Sequence, residues 1–278
     1  MEQATTAKKA IPKDYKSDYK PIWCPGCGDF AVLNAITKAL AFLALSREEV
    51  ALITGIGCSS RIAGFTSLYG FHGVHGRALT LGAGLKAARP DLTVLVAGGD
   101  GDGLSIGGNH FIHACRRNMN LTYIMMDNEV YGMTKGQASP TTAADWEQSK
   151  LTPHGTGIRP FKPAGLALTA GASFIARGFS GDPNGLARML VEAITHPGFS
   201  FVQVLSPCPT FCPEQMQWKK QVRAFEETGT DDPILAAQRI QADDGMSTGI
   251  IFRQEYAVFQ AQSTAGADLE PIEREFAI

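Results

Sequence analysis

The sequence predicts an α/β fold, with a doubly wound, mostly parallel sheet. Short continuous apolar runs, such as residues 50–54 and 93–97, alternate with segments whose apolar residues recur at helical spacing. Runs of this kind are typical of strands that are buried on both faces, which occur in parallel sheets covered by helices. A glycine-rich segment follows each of the first three runs, which is where such folds bind ligands.

The elements can be placed in chain order. The apolar periodicity predicts helices over residues 29–45, 79–89, 106–117 and 184–195. Continuous apolar runs predict strands over residues 50–54, 93–97, 121–126, 173–176 and 201–205. The glycine-rich segments span residues 55–60, 98–103 and 127–132. Because the carboxyl ends of parallel strands meet at one edge of a sheet, we expect these three segments to lie close together.

Composition excludes several classes of protein. The 278 residues include 25 basic and 27 acidic side chains, a formal net charge of −2, and 44% are hydrophobic. This balance gives no basic footprint for nucleic acid and no polybasic patch for a membrane surface. No apolar run approaches the ~20 residues that a membrane span needs. We expect a cytoplasmic protein with a sizeable core.

A candidate diphosphate and metal site follows the second predicted strand, in Gly98-Gly99-Asp100-Gly101-Asp102. Glycines there let backbone amides approach an anion, and Asp100 can supply a carboxylate oxygen to Mg²⁺. Asn128 ends the next strand, so its side-chain oxygen and the carbonyl of Val130 can complete the metal's coordination. The nicotinamide-binding fingerprint Gly-x-Gly-x-x-Gly, with an acid ~20 residues further on, is absent.

Four cysteines are expected at the same edge of the sheet. Cys24 and Cys27 form a Cys-x-x-Cys knuckle, Cys58 follows the first strand, and Cys208 follows the last. Four thiolates suit zinc or a four-iron cluster. Cys212 is a rival fourth ligand, but Cys208 is nearer the strand end. A redox cluster fits the position of Cys58 beside the cofactor segments better than a structural zinc does.

These motifs together resemble a known family. Gly-Asp-Gly followed by Asn128 resembles the thiamine diphosphate motif. The chain from about residue 21 to 212 resembles the β subunit of 2-oxoacid:ferredoxin oxidoreductases, most closely the 2-oxoglutarate type. The matching segments are Cys-Pro-Gly-Cys-Gly from Cys24, Gly-Ile-Gly-Cys-Ser from Gly55, His-Gly-Arg-Ala from His75, Gly-Gly-Asp-Gly-Asp from Gly98, and residues 127–136.

The resemblance implies roles for individual residues. It implies that a 4Fe-4S cluster is ligated by Cys24, Cys27, Cys58 and Cys208, and that Mg²⁺ is ligated by Asp100, Asn128 and the Val130 carbonyl. It implies thiamine diphosphate contacts from Ile56, Gly57, Cys58, Ser59, His75, Gly101, Asp102, Gly132 and Met133. No catalytic residue is certain on this chain, since the glutamate that activates the cofactor is expected on a larger α subunit.

The resemblance also implies an activity and an assembly. A 2-oxoacid would be oxidatively decarboxylated with coenzyme A to acyl-CoA and CO₂, the electrons passing through the cluster to ferredoxin; the reverse reaction is reductive carboxylation. An (αβ)₂ heterotetramer is expected. Residues 21–212 would form the thiamine diphosphate and iron–sulfur domain, residues 1–20 an N-terminal extension, and residues 213–278 a C-terminal extension packing on the partner subunit.

Arg61, which follows the Cys58 turn, is a candidate for binding the substrate. A dicarboxylic oxoacid such as 2-oxoglutarate needs a cation for its second carboxylate, and Arg61 is the candidate on this chain; the alternative is a surface arginine. Three other assignments stay open from the sequence. They are a pyruvate or broad-range enzyme of the same family, a non-redox thiamine-dependent decarboxylase subunit, and a zinc-stabilised binding module.

Overall fold

The structure, a computed structural model, describes residues 10–227 and 229–261. The strands are β1 Val50–Thr54, β2 Tyr69–His72, β3 Thr93–Gly99, β4 Leu121–Asp127, β5 Val130–Tyr131, β6 Gln137–Ala138, β7 Phe174–Phe179, β8 Phe199–Leu205, β9 Arg223–Ala224 and β10 Ser247–Arg253. The α-helices are α1 Asp29–Leu43, α2 Ala78–Ala88, α3 Asp100–Leu104, α4 Gly108–Arg117, α5 Pro163–Thr169, α6 Pro183–Thr195, α7 Trp218–Gln221 and α8 Pro233–Ala242.

Eight strands form one sheet in the order β2-β1-β3-β4-β8-β7-β10-β9. Neighbouring strands pair in parallel, except for the antiparallel pair of β7 and β10. After β1 the chain adds β2 on one side and then returns to place β3 on the other side. Such a reversal opens a crevice at the carboxyl ends of the strands, which is where doubly wound domains bind ligands. The predicted fold class is confirmed.

Helices cover both faces of this sheet. Successive strand residues point to opposite faces, so Leu52 packs with one apolar cluster and Ile53 with the other. The first cluster includes side chains of α1 and α6; the second includes side chains of α2, α4, α5 and α8. None of the helices in the described ranges combines the length and the apolar character of a membrane span.

Most predicted elements are present, with shifted ends. The strand predicted over residues 50–54 is β1 with the same bounds. The helix predicted over residues 106–117 begins two residues later, at Gly108, because residues 105–107 separate it from the short helix α3. That short helix starts directly after β3, so the amides of its first turn lie at the edge of the sheet where the site forms.

The C-terminal segment belongs to the sheet for most of its length. Helix α8 contacts α5, and β10 pairs with β7 from Gly249 to Arg253. The sheet therefore continues past the domain boundary predicted at residue 212. In the sequence, Asp232-Pro233 is typical of a turn. In the structure Asp232 caps α8, and Pro233 occupies the first helical position, where its missing N–H costs nothing.

The N-terminal segment is also partly in the core. Tyr15 is fully buried, and its hydroxyl donates a hydrogen bond to the carbonyl of Leu45 at 2.6 Å. Residues 10–20 thus pack on the domain. Residues 1–9 and 262–278, which complete the two predicted extensions, lie outside the described residues.

Candidate cofactor and cysteine site

A cleft of about 590 Å³ opens at the carboxyl ends of β1, β3 and β4. Every residue predicted for the cofactor or for magnesium lines it: Ile56, Gly57, Cys58, Ser59, His75, Asp100, Gly101, Asp102, Asn128, Val130, Gly132 and Met133. The cleft is also lined by Gly99 of the same glycine-rich motif and by Tyr131, Thr134 and Gln137, which no sequence pattern marked individually. The three glycine-rich segments therefore meet in one place, as their positions after parallel strands predicted.

Asp100 lies at the floor of this cleft and is 1% exposed. Its carboxylate accepts hydrogen bonds from the Thr141 hydroxyl at 2.9 Å and from the Asn128 amide at 3.4 Å. Burial, followed by the charge of the neighbouring Asp127, raises the pKa of Asp100 to about 7. The side-chain oxygen of Asn128 accepts a hydrogen bond from Val130, which closes a tight turn at the end of β4.

The donor set fits a divalent cation. Asp100 and Asp127 are both buried, and the hydroxyl of Thr141 lies within hydrogen-bond distance of both carboxylates. A hydroxyl carries one hydrogen, so it can satisfy only one carboxylate at a time. Two adjacent buried anions are unfavourable unless a cation balances them. Carboxylate, amide and carbonyl oxygens are the ligands that Mg²⁺ prefers in proteins.

Asp102 anchors the loops around the cleft. Its Oδ1 accepts hydrogen bonds from the Ile56 amide at 2.9 Å and from the Gly76 amide at 2.8 Å, and it lies 2.8 Å from Nδ1 of His75. The carboxylate thus faces protein donors from two loops. The implied contact of Asp102 with a diphosphate stays a prediction; its protein partners favour a positioning role, since a carboxylate repels phosphate.

The hydrogen bond between Nδ1 of His75 and Oδ1 of Asp102 orients the His75 ring. Because Nδ1 faces a buried carboxylate, the ring donates from that nitrogen, and Nε2 is left for another partner. His75 remains 39% exposed and lines the cleft. The arrangement is suited to holding an anionic or polar group of a ligand in a fixed position.

Gly101 is a position where only glycine fits. A Cβ atom there would lie 2.3 Å from a ring carbon of Tyr131, whose hydroxyl donates to the Gly101 carbonyl at 3.2 Å. The tyrosine ring therefore packs directly on the backbone that follows β3.

A second cavity lies beside the cleft and is bordered by the four predicted cysteine ligands. Cys24, Cys27, Cys58 and Cys208 all line it, together with Arg61 and hydrophobic side chains. Within the described ranges, no three His, Cys, Asp or Glu side chains are close enough to ligate a single ion. The four cysteines border one common cavity.

Hydrogen bonds tie the three cysteine-bearing segments together. The indole N–H of Trp23 donates to the Cys58 carbonyl at 2.7 Å, and the Gly28 amide donates to the Pro207 carbonyl at 3.1 Å. A Cβ atom on Gly28 would lie 2.5 Å from the Ser206 hydroxyl, so this close approach requires glycine. The knuckle is therefore held against the ends of both β1 and β8.

Burial affects the protonation of three of these four thiols. Burial, followed by the charges of the nearby Asp29 and Cys208, raises the pKa of Cys58 to about 11. Burial likewise raises the pKa of Cys27 and of Cys208. A buried thiol of this kind loses its proton more readily when a bound metal compensates the charge of the thiolate.

The structure favours Cys208 over Cys212 as the fourth ligand. Cys208 lines the cavity with the other three cysteines, and its sulfur lies 3.6 Å from the position that a Cβ on Gly132 would take. The corresponding distance for the Cys58 sulfur is 3.7 Å. Cys212 is 1% exposed and is not among the residues that line the cavity.

The two cavities share a wall. Cys58, Asn128 and Gly132 line both of them. Gln215 adds a direct connection, since its amide donates to the Asn128 carbonyl at 2.7 Å and accepts from the Cys208 amide at 2.8 Å. No sequence motif marked Gln215, which lies in the predicted C-terminal extension.

Arg61 lies on the cysteine side of this wall. It is exposed and lines the cysteine cavity, but it is not among the residues that line the larger cleft. Its positive charge lowers the pKa of Cys58, against the larger effect of burial. The position of Arg61 by itself therefore does not support a pairing with a substrate carboxylate in the cleft, and that pairing stays a prediction.

Asp29 is a buried acid that the sequence analysis also missed. It is 1% exposed and starts α1, immediately after the Cys-x-x-Cys-Gly knuckle. Oδ1 accepts from the Ser206 hydroxyl at 2.8 Å, whereas Oδ2 has no hydrogen-bond partner among the described residues. Burial raises the pKa of Asp29 to about 6. The only local signal for it was an acidic residue at a helix start beside two cysteines.

Comparison with known proteins shows which family of domains this chain contains. Residues 55–204 match the family model of the thiamine pyrophosphate enzymes, C-terminal TPP binding domain. The fold and the cleft thus define a thiamine-pyrophosphate-binding domain of an enzyme.

Similar sequences show which family of enzymes the chain belongs to. The chain is 49% identical over 207 residues to the 2-oxoglutarate oxidoreductase subunit KorB of Mycobacterium tuberculosis, covering 74% of this chain and 55% of that protein. It is 39% identical over 254 residues to the β subunit of 2-oxoacid:ferredoxin oxidoreductase 2 of Aeropyrum pernix, covering 86% and 82%. The chain belongs to the β subunits of 2-oxoacid:ferredoxin oxidoreductases, and the match spans about half the length of the mycobacterial relative.

A solved structure is similar over almost the whole chain. It is the 2-oxoglutarate:ferredoxin oxidoreductase from Magnetococcus marinus with 2-oxoglutarate, coenzyme A and succinyl-CoA bound. The TM-score is 0.90 at 38% identity, covering 99% of this chain and 98% of that chain. The resemblance that the motifs indicated is confirmed at the level of the family.

Proposed function

We propose that this chain is the subunit that holds thiamine diphosphate, Mg²⁺ and one 4Fe-4S cluster in a 2-oxoglutarate:ferredoxin oxidoreductase. The reaction converts 2-oxoglutarate, coenzyme A and oxidised ferredoxin into succinyl-CoA, CO₂ and reduced ferredoxin, and the reverse reaction is a reductive carboxylation. The observation that carries this proposal is the shared wall of Cys58, Asn128 and Gly132 between the cleft and the cysteine cavity. A decarboxylase without redox chemistry would have no use for that adjacency.

The proposed division of work follows from the residues. Asp100, Asn128 and the Val130 carbonyl would hold Mg²⁺, and the amides at the start of α3 would face the diphosphate. His75, oriented by Asp102, would contact the cofactor from the opposite loop. Cys24, Cys27, Cys58 and Cys208 would hold the cluster. Bound thiamine diphosphate supplies the carbanion chemistry of decarboxylation, and a bound cluster accepts electrons one at a time.

The proposed assembly completes the active site. The resemblance implies that a larger α subunit supplies the glutamate that activates the cofactor, in an (αβ)₂ heterotetramer that reduces an external ferredoxin. We propose that the described part of the C-terminal segment, residues 213–227 and 229–261, stabilises the cofactor domain and packs on that partner. The cytoplasmic location stays a prediction.

The experiment that tests this function uses the complex purified anaerobically with its co-expressed α subunit. With coenzyme A and a viologen acceptor, 2-oxoglutarate should support acceptor reduction and succinyl-CoA formation, whereas this chain without the α subunit should be inactive. Release of CO₂ without acceptor reduction would identify a non-redox decarboxylase. A strong preference for pyruvate would contradict the proposed substrate.

Arg61→Ala tests the substrate assignment directly. If Arg61 pairs with the second carboxylate of 2-oxoglutarate, we expect kcat/KM for 2-oxoglutarate to fall roughly ten- to hundredfold, as for a lost charge-assisted hydrogen bond, with a much smaller effect on pyruvate. The measurement is steady-state kinetics of the complex with both substrates. Arg116→Ala, an exposed arginine in the last turn of α4, is the matched control.

The opposite result has a defined meaning. Equal losses for 2-oxoglutarate and pyruvate would show that Arg61 serves the cysteine cavity that it lines, and not the substrate. Iron content of the purified Arg61→Ala complex distinguishes that outcome from a general loss of folded protein.

A further inference from the structure

A chain of buried hydrogen bonds begins in the C-terminal segment. Asp243, between α8 and β10, forms a buried ion pair with Arg177 of β7. The same guanidinium group donates to the Ser247 carbonyl at 3.0 Å, and its Nε donates to Oε1 of Gln203 at 3.1 Å. Arg177 and Gln203 are each 4% exposed. The guanidinium is therefore held on one side by the C-terminal segment and on the other by β8.

The chain continues to the floor of the cleft. The side-chain amide of Gln203 donates to Asp127 at 2.7 Å, and the Thr141 hydroxyl lies 2.8 Å from Asp127 and 2.9 Å from Asp100. Asp127 is 2% exposed, and the backbone of the next residue but one, Glu129, donates to it at 3.3 Å. Four side chains, those of Arg177, Gln203, Asp127 and Thr141, thus connect Asp243 to Asp100 through the interior.

Arg177 determines which groups donate and which accept along this series of hydrogen bonds. Nε of Arg177 needs an acceptor, so the oxygen of the Gln203 amide must face it. The side-chain amide nitrogen of Gln203 then faces Asp127 and donates to it. If the amide were flipped, its oxygen would face Asp127 and this donor would be lost. Asp243 holds Arg177 in place for this purpose, since a buried guanidinium without a carboxylate would be strongly disfavoured.

The consequence concerns the proposed magnesium site. Asp127 stands directly behind Asp100 as a second buried carboxylate and precedes Asn128, the other proposed side-chain ligand. Groups of this kind orient the ligands and add negative potential where the cation binds, and their loss typically costs 10- to 100-fold in metal affinity. The hydrogen-bonded residues that hold Asp127 should therefore affect cofactor binding, although none of them lines the cleft.

We propose that Arg177, Gln203 and Asp127 are positioning residues of the magnesium and thiamine diphosphate site, and that Asp243 links the C-terminal segment to that site. This inference rests on the proposed function. It explains why the sheet domain extends through β10: the segment after Cys212 supplies the carboxylate that starts the chain. The buried polar residues on β7 and β8 then serve affinity for the cofactor as well as stability.

The test replaces Gln203 with methionine in the complex with the α subunit. Methionine has a similar shape but can neither accept from Arg177 nor donate to Asp127. We expect the affinity for Mg²⁺ and for thiamine diphosphate, measured by equilibrium titration of the complex, to fall 10- to 100-fold. The kcat at saturating cofactor should stay within about twofold, because the reacting groups are unchanged.

The matched control is Ser173→Ala. Ser173 is fully buried next to β7, and its hydroxyl donates to Asn118 at 2.6 Å at the opposite end of the strands. This change should lower the melting temperature of the cofactor-free complex without altering cofactor affinity. The inference is overturned if Gln203→Met binds cofactor as tightly as the wild type, or if Ser173→Ala loses as much affinity for a similar loss of melting temperature.

A second pair of variants applies where Gln203→Met does not fold. Thr141→Val removes the hydroxyl between the two carboxylates and keeps the shape, whereas Thr141→Ser keeps the hydroxyl. Weaker Mg²⁺ binding by Thr141→Val, with rescue by Thr141→Ser, supports the inference; equal affinities contradict it. A wild-type complex that binds no thiamine diphosphate would overturn the proposed function and this inference with it. A wild type that binds normally, beside unaffected variants, would overturn the inference alone.

Discussion

Asp100→Ala should lower the affinity for thiamine diphosphate at least tenfold, a loss of about 1.4 kcal/mol or more. The carboxylate is buried at the floor of the cleft and is the only charged member of the proposed magnesium ligands. Removing it takes away the group through which the metal would connect the protein to the diphosphate. The affinity is measured by equilibrium titration of the complex, and retention of cofactor after desalting gives a second readout.

The control for Asp100→Ala separates this effect from general destabilisation. Asp232 caps α8 with hydrogen bonds to the amides of Ile234 and Leu235, and loss of such a cap typically costs ~1 kcal/mol of stability. Asp232→Ala should therefore lower stability without weakening cofactor binding. Full retention of the cofactor and full activity in Asp100→Ala would mean that this aspartate is only a turn residue.

Cys58→Ala should remove the cluster and abolish electron transfer to the acceptor. The anaerobically purified wild-type complex should contain about four irons and four acid-labile sulfides for each copy of this chain, as Cys₄ ligation of a 4Fe-4S cluster requires. Because Cys58 lines both the cleft and the cysteine cavity, its loss removes a proposed ligand that forms part of the shared wall. Iron and sulfide analysis, the visible absorption near ~400 nm and viologen reduction measure the result.

Two further cysteine variants make this experiment specific. Cys208→Ala should lose iron as Cys58→Ala does. Cys212→Ala should retain it, since Cys212 is buried outside the cavity lining. Retention by Cys208→Ala and loss by Cys212→Ala would reverse the choice of fourth ligand. Stoichiometric zinc without iron in the wild type would contradict the redox assignment and favour a structural metal.

Local sequence predicted the central strands well for a physical reason. The residues of β1 and β3 form continuous apolar runs because both faces of a central parallel strand are covered by helices. The edge strand β2 was missed, since Tyr69–His72 is exposed along its whole length and carries no such run. The strand β10 was missed because its neighbour β7 lies about seventy residues earlier in the chain, so nothing local marks the pairing.

The sequence by itself determined which residues meet at the cleft. Parallel strands end at one edge of the sheet, so motifs that follow them must converge there whatever the details of packing. Residues as distant in sequence as Ile56, Asp100 and Asn128 could therefore be assigned to one cleft from their positions alone.

Only the tertiary structure decided what each side chain faces. It directs Asp102 to loop amides and His75, places Arg61 on the cysteine side of the shared wall, and excludes Cys212 from the cysteine cavity. It also joins Asp243 to Asp127 through Arg177 and Gln203. Side-chain direction and hydrogen bonds between distant strands depend on how the elements pack against each other, and a local pattern of residues does not contain that information.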